Sequence, residues 1–319
     1  MSAPPSNQEH YVGVELCAGS ARAALVTGDG VVAARREGAL AGPDLAAQVA
    51  RLVAELRDAA PAQVRALGVG VPGLVNPQTG RVVISSDLPA VVREDLRASL
   101  AQAAGLPVAL DNDANAGAMG EYAAGAGRGS RNMFYVTLGT GIGGALILGG
   151  RLWRGASGFA GEFGHITIDP EGVNCSCGNV GCLETVASAP NIVRRTHERL
   201  MRDSTSSLSR LGLNKNFTAA DIAHEARNGD DFAALMMART GRYIGTGLAA
   251  VINLLNTERI VLGGGVMDAG ELILKPVIDE ARRRSFQPNF ESTEIVAAML
   301  GPDAVPIGAA LLARDAAAQ

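Results

Sequence analysis

Three of the four cysteines, Cys175, Cys177 and Cys182, fall within eight residues, and His165 stands ten residues before the first. The spacing H-x9-C-x-C-x4-C joins thiolates to an imidazole, the donor set of a tetrahedral structural zinc site. Gly178 and Gly181 let so short a loop close around a small ion. The predicted metal ligands are therefore His165, Cys175, Cys177 and Cys182. Four protein ligands leave no open coordination position, which disfavours hydrolytic zinc chemistry. The remaining Cys17 reads as a small buried apolar residue rather than a nucleophile.

Two further patterns could do chemistry. Asp111-Asn112-Asp113 follows an apolar run, Val108–Leu110, and precedes a helical stretch. That places it at the carboxyl edge where α/β sheets bind ligands. A carboxylate there can take a proton from an attacking hydroxyl, or the same residues can serve as a helix N-cap. Leu138–Gly144 is a glycine turn with Thr140 at its centre. Its N–H groups could surround phosphate oxygens, or it could be a tight hairpin. It lacks the Gly-Lys-Ser/Thr of a Walker loop, and no helix follows as in a dinucleotide fingerprint. Gly263-Gly264-Gly265, between a strand and a helix, would admit a nucleotide base or sugar to the backbone, or would serve packing.

The elements that carry these residues read as a repeated α/β pattern. Tyr11–Leu16, Ala21–Val26 and Val31–Arg36 resemble adjacent antiparallel strands. A helix beginning at Pro43-Asp44, a strand at 66–71, a Pro72-Gly73 turn, a helix near 94–103 and the strand at 108–110 follow, then a helix over 114–124. Tyr135–Leu138 and Ala145–Leu148 then begin the order again. Shifting Tyr11–Val26 by 122 positions lays it over Met133–Leu148, with Gly19 on Gly141. Helices over 219–227 (with a Thr218/Asp221 capping box), 231–256 and 271–284 follow, with strands at 259–262 and 294–297. A closing helix at 305–313 is expected to pack back on the first lobe. The expected division is a flexible tail over residues 1–10, a small α/β lobe of 11–116 plus 302–319, and a large α/β lobe of 117–301 carrying the zinc site, with a cleft between the lobes.

Composition narrows the function. The 319 residues are 47% hydrophobic and 19% charged, a globular balance. A formal charge of −4 and 4% aromatics argue against a nucleic-acid partner. No apolar run approaches a membrane span, and residues 1–10 lack the basic and apolar regions of a secretory signal, so a cytoplasmic location is expected. Glycine is in surplus at 40 residues, 13 of them between Gly139 and Gly181. The surplus points to tight turns and close backbone approach to ligands.

Taken together, the chain resembles the ROK family (repressor, open reading frame, kinase), and within it the bacterial glucokinases, from about Tyr11 to Ala313. The resemblance rests on Gly161-Glu162-Phe163-Gly164-His165, continued through Cys175-Ser176-Cys177-Gly178-Asn179-Val180-Gly181-Cys182-Leu183-Glu184. Leu110–Ala116, Leu138–Gly144, Gly70–Gly73 and Ile260–Val266 support it, in the family's order. It implies an actin-like, hexokinase-type (ribonuclease H-like) two-lobed duplicated α/β fold with a central cleft and a structural zinc loop. It also implies ATP-dependent phosphorylation of a hexose 6-hydroxyl, glucose first, with Asp113 as general base. Gly73, Asn112, Glu162, His165 and Glu184 would line the sugar site, and His165 would serve both zinc and sugar. Thr140 and Gly141 would approach the ATP phosphates and Gly264 and Gly265 the adenosine, with Mg²⁺ on the transferring group. A homodimer is expected from the family.

The chain departs from the family at the first hairpin. ROK kinases open with Asp-x-Gly-Gly-Thr-Lys, and here Glu15-Leu16-Cys17-Ala18-Gly19-Ser20 stands instead. The paired glycines and the lysine cation are gone. Asp87-Leu88-Pro89 also stands where many members carry Asn before the leucine. The alternatives kept are a kinase for N-acetylglucosamine or mannose, polyphosphate in place of ATP, or a catalytically weak sugar sensor without a DNA-binding domain. The first strand begins at Tyr11, which leaves no room before it for the helix-turn-helix of the family's regulators.

Overall fold

The computed structural model describes residues 9–42, 44–60, 62–201, 205–211 and 217–318. Residues 1–8 of the expected tail and Pro43 of the expected helix start lie outside the described residues. His10, placed in the tail by the sequence, already belongs to the first strand, because its backbone pairs with two neighbours.

Strands β1 (His10–Cys17), β2 (Ser20–Thr27) and β3 (Val32–Ala39) open the chain, followed by helix α1 (Leu45–Asp58). Asp44 caps α1, its side chain accepting the Ala47 N–H. After β4 (Val64–Val71) comes a small hairpin of β5 (Leu74–Asn76) and β6 (Arg81–Ile84) that the sequence reading lacks. Helix α2 (Leu96–Ala104), strand β7 (Val108–Asn112) and helix α3 (Asp113–Ala124) follow. The second series is β8 (Met133–Leu138), β9 (Ile142–Leu148) and β10 (Arg151–Trp153), then α4 (Glu184–Ala187), α5 (Ala189–Leu200), α6 (Ala219–Arg227) and α7 (Asp231–Leu255). It ends with β11 (Arg259–Gly263), α8 (Glu271–Arg284), α9 (Gln287–Glu291), β12 (Glu294–Ala297) and α10 (Ala304–Ala317). The Thr218/Asp221 capping box forms as expected. Helix α4 escaped the sequence reading because four residues show no period, and α5 because Ile192, Val193 and Leu200 are too few to outline an apolar face.

The two main sheets follow one path. Their orders are β3-β2-β1-β4-β7 and β10-β9-β8-β11-β12. In each, the third, second and first strands of a meander lie beside two strands that run parallel to the first: β1 with β4 and β4 with β7, then β8 with β11 and β11 with β12. The 122-residue shift of the sequence is thus a repeated topology. The chain divides into two compact units, one comprising everything up to Arg131, Ala145–Gly161 and the stretch from Met299 on, the other Asn132–Gly144 and Glu162–Ala298. Helix α3 and residues 145–161 fall in the first unit, a different boundary from the one expected at 116/117, because α3 packs along α10.

Alternation along β1 builds the first core. Val12, Val14 and Leu16 join α1 and α2 on one side of the sheet, while Tyr11 joins Ile307, Ala310 and Leu311 of α10 on the other. Helix α10 lies so close that a Cβ at Gly13 or Gly68 would strike the carbonyls of Pro306 or Ala309. Gly120 of α3 and Gly308 of α10 play the same part between the two helices. Part of the glycine surplus therefore serves packing in the first core rather than ligand loops. Among the described residues no helix is long and apolar enough to cross a membrane.

Candidate active site

In the first unit, β7 runs two residues further than the sequence suggested, so Asp111 and Asn112 end the strand and Asp113 begins α3. The alternatives left open for this tripeptide are divided among its members. Asn112 is the cap: its Oδ1 accepts the Asn115 N–H at 3.1 Å, and its Nδ2 donates to the Gly73 carbonyl at 3.0 Å. Gly73 holds φ +114°, and a Cβ there would meet the Ile84 carbonyl of β6. The small hairpin thus fixes the Pro72-Gly73 turn against Asn112.

Asp111 is buried and anchors the strand end. Its Oδ2 accepts Nε and Nη2 of Arg154 at 2.8 and 2.6 Å, and its Oδ1 accepts the Asn112 N–H and Asn115 Nδ2, each at 2.8 Å. Both of these guanidinium nitrogens thus meet one carboxylate oxygen, a charge-assisted contact that ties Arg154 to the strand end. Asp113 stays free for chemistry. Desolvation pushes its carboxyl up to about 7 against the opposing hydrogen bond from the Ala114 N–H, and repulsion from Glu15 and, less, from Asp87 adds to the rise. A base poised near neutrality is what proton abstraction from a sugar hydroxyl requires.

The first hairpin turns through Ala18-Gly19, with Cys17 paired to Ser20 and Gly19 at φ +78°. Its lysine is absent, but the hairpin is not without a cation. Arg22 lies opposite Glu15 in the antiparallel register, with Nε 3.1 Å from Glu15 Oε2 and Nη2 3.7 Å from Cys17 Sγ. Hairpin arithmetic could have found this pair, because a two-residue turn at 18–19 places 15 across from 22. Cys17 is half-buried rather than buried, since it sits at the end of β1 beside the turn. Burial and the neighbouring Glu15 push its thiol up, which keeps it protonated and agrees with a non-nucleophilic role.

In the second unit, the predicted metal ligands converge. One ligand atom each from His165, Cys175, Cys177 and Cys182 lies within 4.8 Å of all the others. Cys175 Sγ is 3.6 Å from His165 Nδ1, and Cys177 Sγ is 3.7 Å from Cys182 Sγ. Gly181, at φ +67°, lets the loop pass the Asp169 carbonyl where a side chain would collide. Burial and the two neighbouring thiols push the Cys182 thiol up to about 12. Three thiolates share so small a space only around a cation, so the donor set fits zinc. With Nδ1 towards the thiols, Nε2 of His165 turns to the other side, 4.0 Å from Glu162 Oε2.

Desolvation raises the Glu162 carboxyl, and Glu184 raises it further against the opposing effect of His165. Glu184 Oε2 accepts the Ile142 N–H at 2.9 Å, so this carboxylate holds the end of the glycine turn. That turn is shorter than expected, Gly139–Gly141, with Thr140 exposed at its tip and β9 beginning at Ile142. A Cβ on Gly141 would lie 2.9 Å from Glu184 Oε2. The two glycines after β11 differ. Gly264, at φ +87°, packs on the backbone of Leu138, where a Cβ has no room, whereas nothing approaches within 4 Å of a Cβ on Gly265. Packing accounts for the first, and open space leaves the second available to a ligand.

The ROK family model matches residues 11–316, and the chain belongs to the ROK family. It is 39% identical over 257 residues to a glucokinase of Halalkalibacterium halodurans, covering 78% of this chain and 76% of that protein. The fold is similar to the crystal structure of a ROK family glucokinase from Streptomyces griseus in complex with glucose and AMPPNP, with TM-score 0.84, 34% identity and coverage of 96% of this chain and 99% of that one. It is also similar to the crystal structure of a ROK family transcriptional regulator, a homolog of the E. coli MLC protein, with TM-score 0.85, 29% identity and coverage of 96% and 78%.

Proposed function

We propose that this protein is a hexose kinase that transfers the γ-phosphoryl group of ATP to the 6-hydroxyl of glucose. The observation that carries the reading is Asp113, a carboxyl at about 7 at the carboxyl end of β7, in a chain similar to glucokinases. Asp113 accepts the hydroxyl proton as the sugar oxygen attacks phosphorus. The bond from phosphorus to the bridging oxygen breaks, and ADP leaves with that electron pair. Asn112, the Gly73 turn, Glu162, His165 and Glu184 bind the sugar hydroxyls. Thr140 and Gly141 receive the phosphates, Gly264 and Gly265 the adenosine side, and Mg²⁺ arrives as part of the nucleotide substrate. His165, Cys175, Cys177 and Cys182 would hold zinc, which would supply no reacting group and would fix the tautomer and angle of His165. The reading carries with it a cytoplasmic homodimer, whose mass light scattering measures.

A coupled assay with glucose and MgATP tests this. Asp113→Ala should lower kcat by about 10²–10⁴ while glucose binding persists. Sugar binding with no transfer to glucose, mannose or N-acetylglucosamine, from ATP or polyphosphate, would overturn the reading in favour of a sugar sensor. The altered Glu15–Ser20 hairpin is the observation on that side.

A further inference from the structure

We propose that Asn191, Arg194 and Arg195 of α5 are positioning residues that set the Glu184 carboxylate and the Gly139–Gly141 turn together, so that one polar cluster governs sugar and nucleotide binding alike. This rests on the kinase reading for what those two sites bind, and on geometry for the coupling between them.

Helix α4 is a single turn, too short to hold itself, and its closing carbonyls need outside donors. Successive residues of α5 provide them. Asn191 Nδ2 donates to the Glu184 carbonyl at 3.0 Å, Arg194 Nη2 to Thr185 at 2.8 Å, and Arg195 Nη1 to Val186 at 2.6 Å. Three consecutive carbonyls are thus each met by one side chain. The donors are themselves braced. Arg194 Nε donates to Asn191 Oδ1 at 3.2 Å and its Nη1 to Glu198 at 2.7 Å, while Arg195 Nη1 also reaches Thr240 Oγ1 of α7 at 3.2 Å.

Both ends of the glycine turn hang from the same assembly. Glu184, the first residue of α4, accepts the Ile142 N–H, and the N–H of Ala189, the first residue of α5, donates to the Gly139 carbonyl at 2.8 Å. A shift of α4 against α5 would move the sugar carboxylate and the phosphate turn at once.

Arg195 is the costliest member to keep. It is 8% exposed, none of its hydrogen bonds goes to a carboxylate, and its guanidinium lies 4.9 Å over the Tyr243 ring. Burial pulls its pKa down to about 10, and Arg239, Arg199 and Arg194 act the same way. A buried cation without an acidic partner is expensive, which fits a residue kept for the helix-end carbonyl it holds rather than for stability.

The test compares Arg195→Met, Arg195→Lys and Asn191→Ala with the parent protein, at a temperature well below each melting point and with zinc content checked. Arg195→Met should raise KM for glucose and KM for ATP together, each by about tenfold, with the pH midpoint of kcat/KM unmoved. Arg195→Lys should recover part of both, since an ammonium can still donate to Val186. Unchanged KM values in the folded, zinc-loaded variant, or a rise in only one of them, would overturn the proposal. Should Arg195→Met fail to fold, Asn191→Ala decides by the same paired readout. A parent protein that transfers no phosphoryl group refutes the kinase reading alone. Calorimetric affinities for glucose and AMPPNP, which should weaken together in Arg195→Met, then replace the two KM values.

Discussion

The turn between β1 and β2 and the turn between β8 and β9 stand at the same place in two sheets of one path, yet they are held by different means. The first is secured by its own hairpin and by the Leu40 N–H, just beyond β3, which donates to the Gly19 carbonyl at 2.8 Å. Glu15 and Arg22 face each other across the strands, and only Gly19 of the turn needs a left-handed backbone. The second is secured from outside, by Ala189 at Gly139 and Glu184 at Ile142. The first turn carries Cys17 and Ala18 where the family has glycines, and a Cβ even at Gly19 would meet nothing within 4 Å. In the turn clamped by two helices, Gly141 has no room for a side chain, because its Cβ would lie 2.9 Å from Glu184 Oε2.

The largest effect should come from breaking the clamp. Gly141→Ala places a methyl against Glu184 Oε2, and displacement of that carboxylate by about 1 Å is expected to lower kcat/KM roughly 10²-fold. Steady-state kinetics measure this, and Gly19→Ala in the first turn should serve as the contrast. A Cβ at Gly19 touches nothing within 4 Å, so its effect should be confined to backbone strain of about 1 kcal/mol and read as a lower Tm. Equal kinetic losses in both variants would erase the distinction drawn between the turns.

Next in size is removal of the metal. The zinc loop leads directly into α4, where the Thr185 hydroxyl donates to the Cys182 carbonyl at 2.7 Å. Cys177→Ser should reduce bound zinc, lower Tm by about 5–10 °C, and raise KM for glucose through His165 and Glu184. Metal analysis, calorimetry and kinetics on one preparation follow all three. The pH dependence set by Asp113 in the other unit should not change, and a moved midpoint would contradict the independence of the first site.

What the sequence disclosed, and what it hid, divides along the same lines. The cluster of His165, Cys175, Cys177 and Cys182 was legible because thiols are rare and their spacing is local. The repeated sheets were legible because a constant shift preserves alternation. Asp113 was visible as a carboxylate at a strand end, but its separation from the cap Asn112 was not, since two residues of strand length decide it. Arg154 escaped because its partner Asp111 lies 43 residues away. The α5 cluster escaped because α5 itself was not read as a helix, its apolar residues being too few to outline a face. The glycines misled in part. Gly13, Gly68, Gly120 and Gly308 lie under or within α10 and mark close packing, a use that looks the same in a sequence as a ligand loop.

The smallest effect concerns Glu15, the carboxylate that the first hairpin keeps in place of the family's loop. Asp113 must be ionised to act as base, and its raised pKa means that the protonated form prevails below about 7. The rate kcat/KM should therefore fall as pH drops through about 7. Glu15 contributes to that elevation by repulsion, and Asp87 contributes less. In Glu15→Gln the repulsion is gone and Arg22 has lost its carboxylate partner, and both changes favour the ionised form of Asp113. The acid limb should move to lower pH, raising kcat/KM at pH 6 by about two- to threefold while leaving the alkaline plateau unchanged. Asp87→Asn should move it in the same direction by less. A limb that stays in place or moves upward in Glu15→Gln would mean that the hairpin exerts no electrostatic control over the base, and that burial alone sets its pKa.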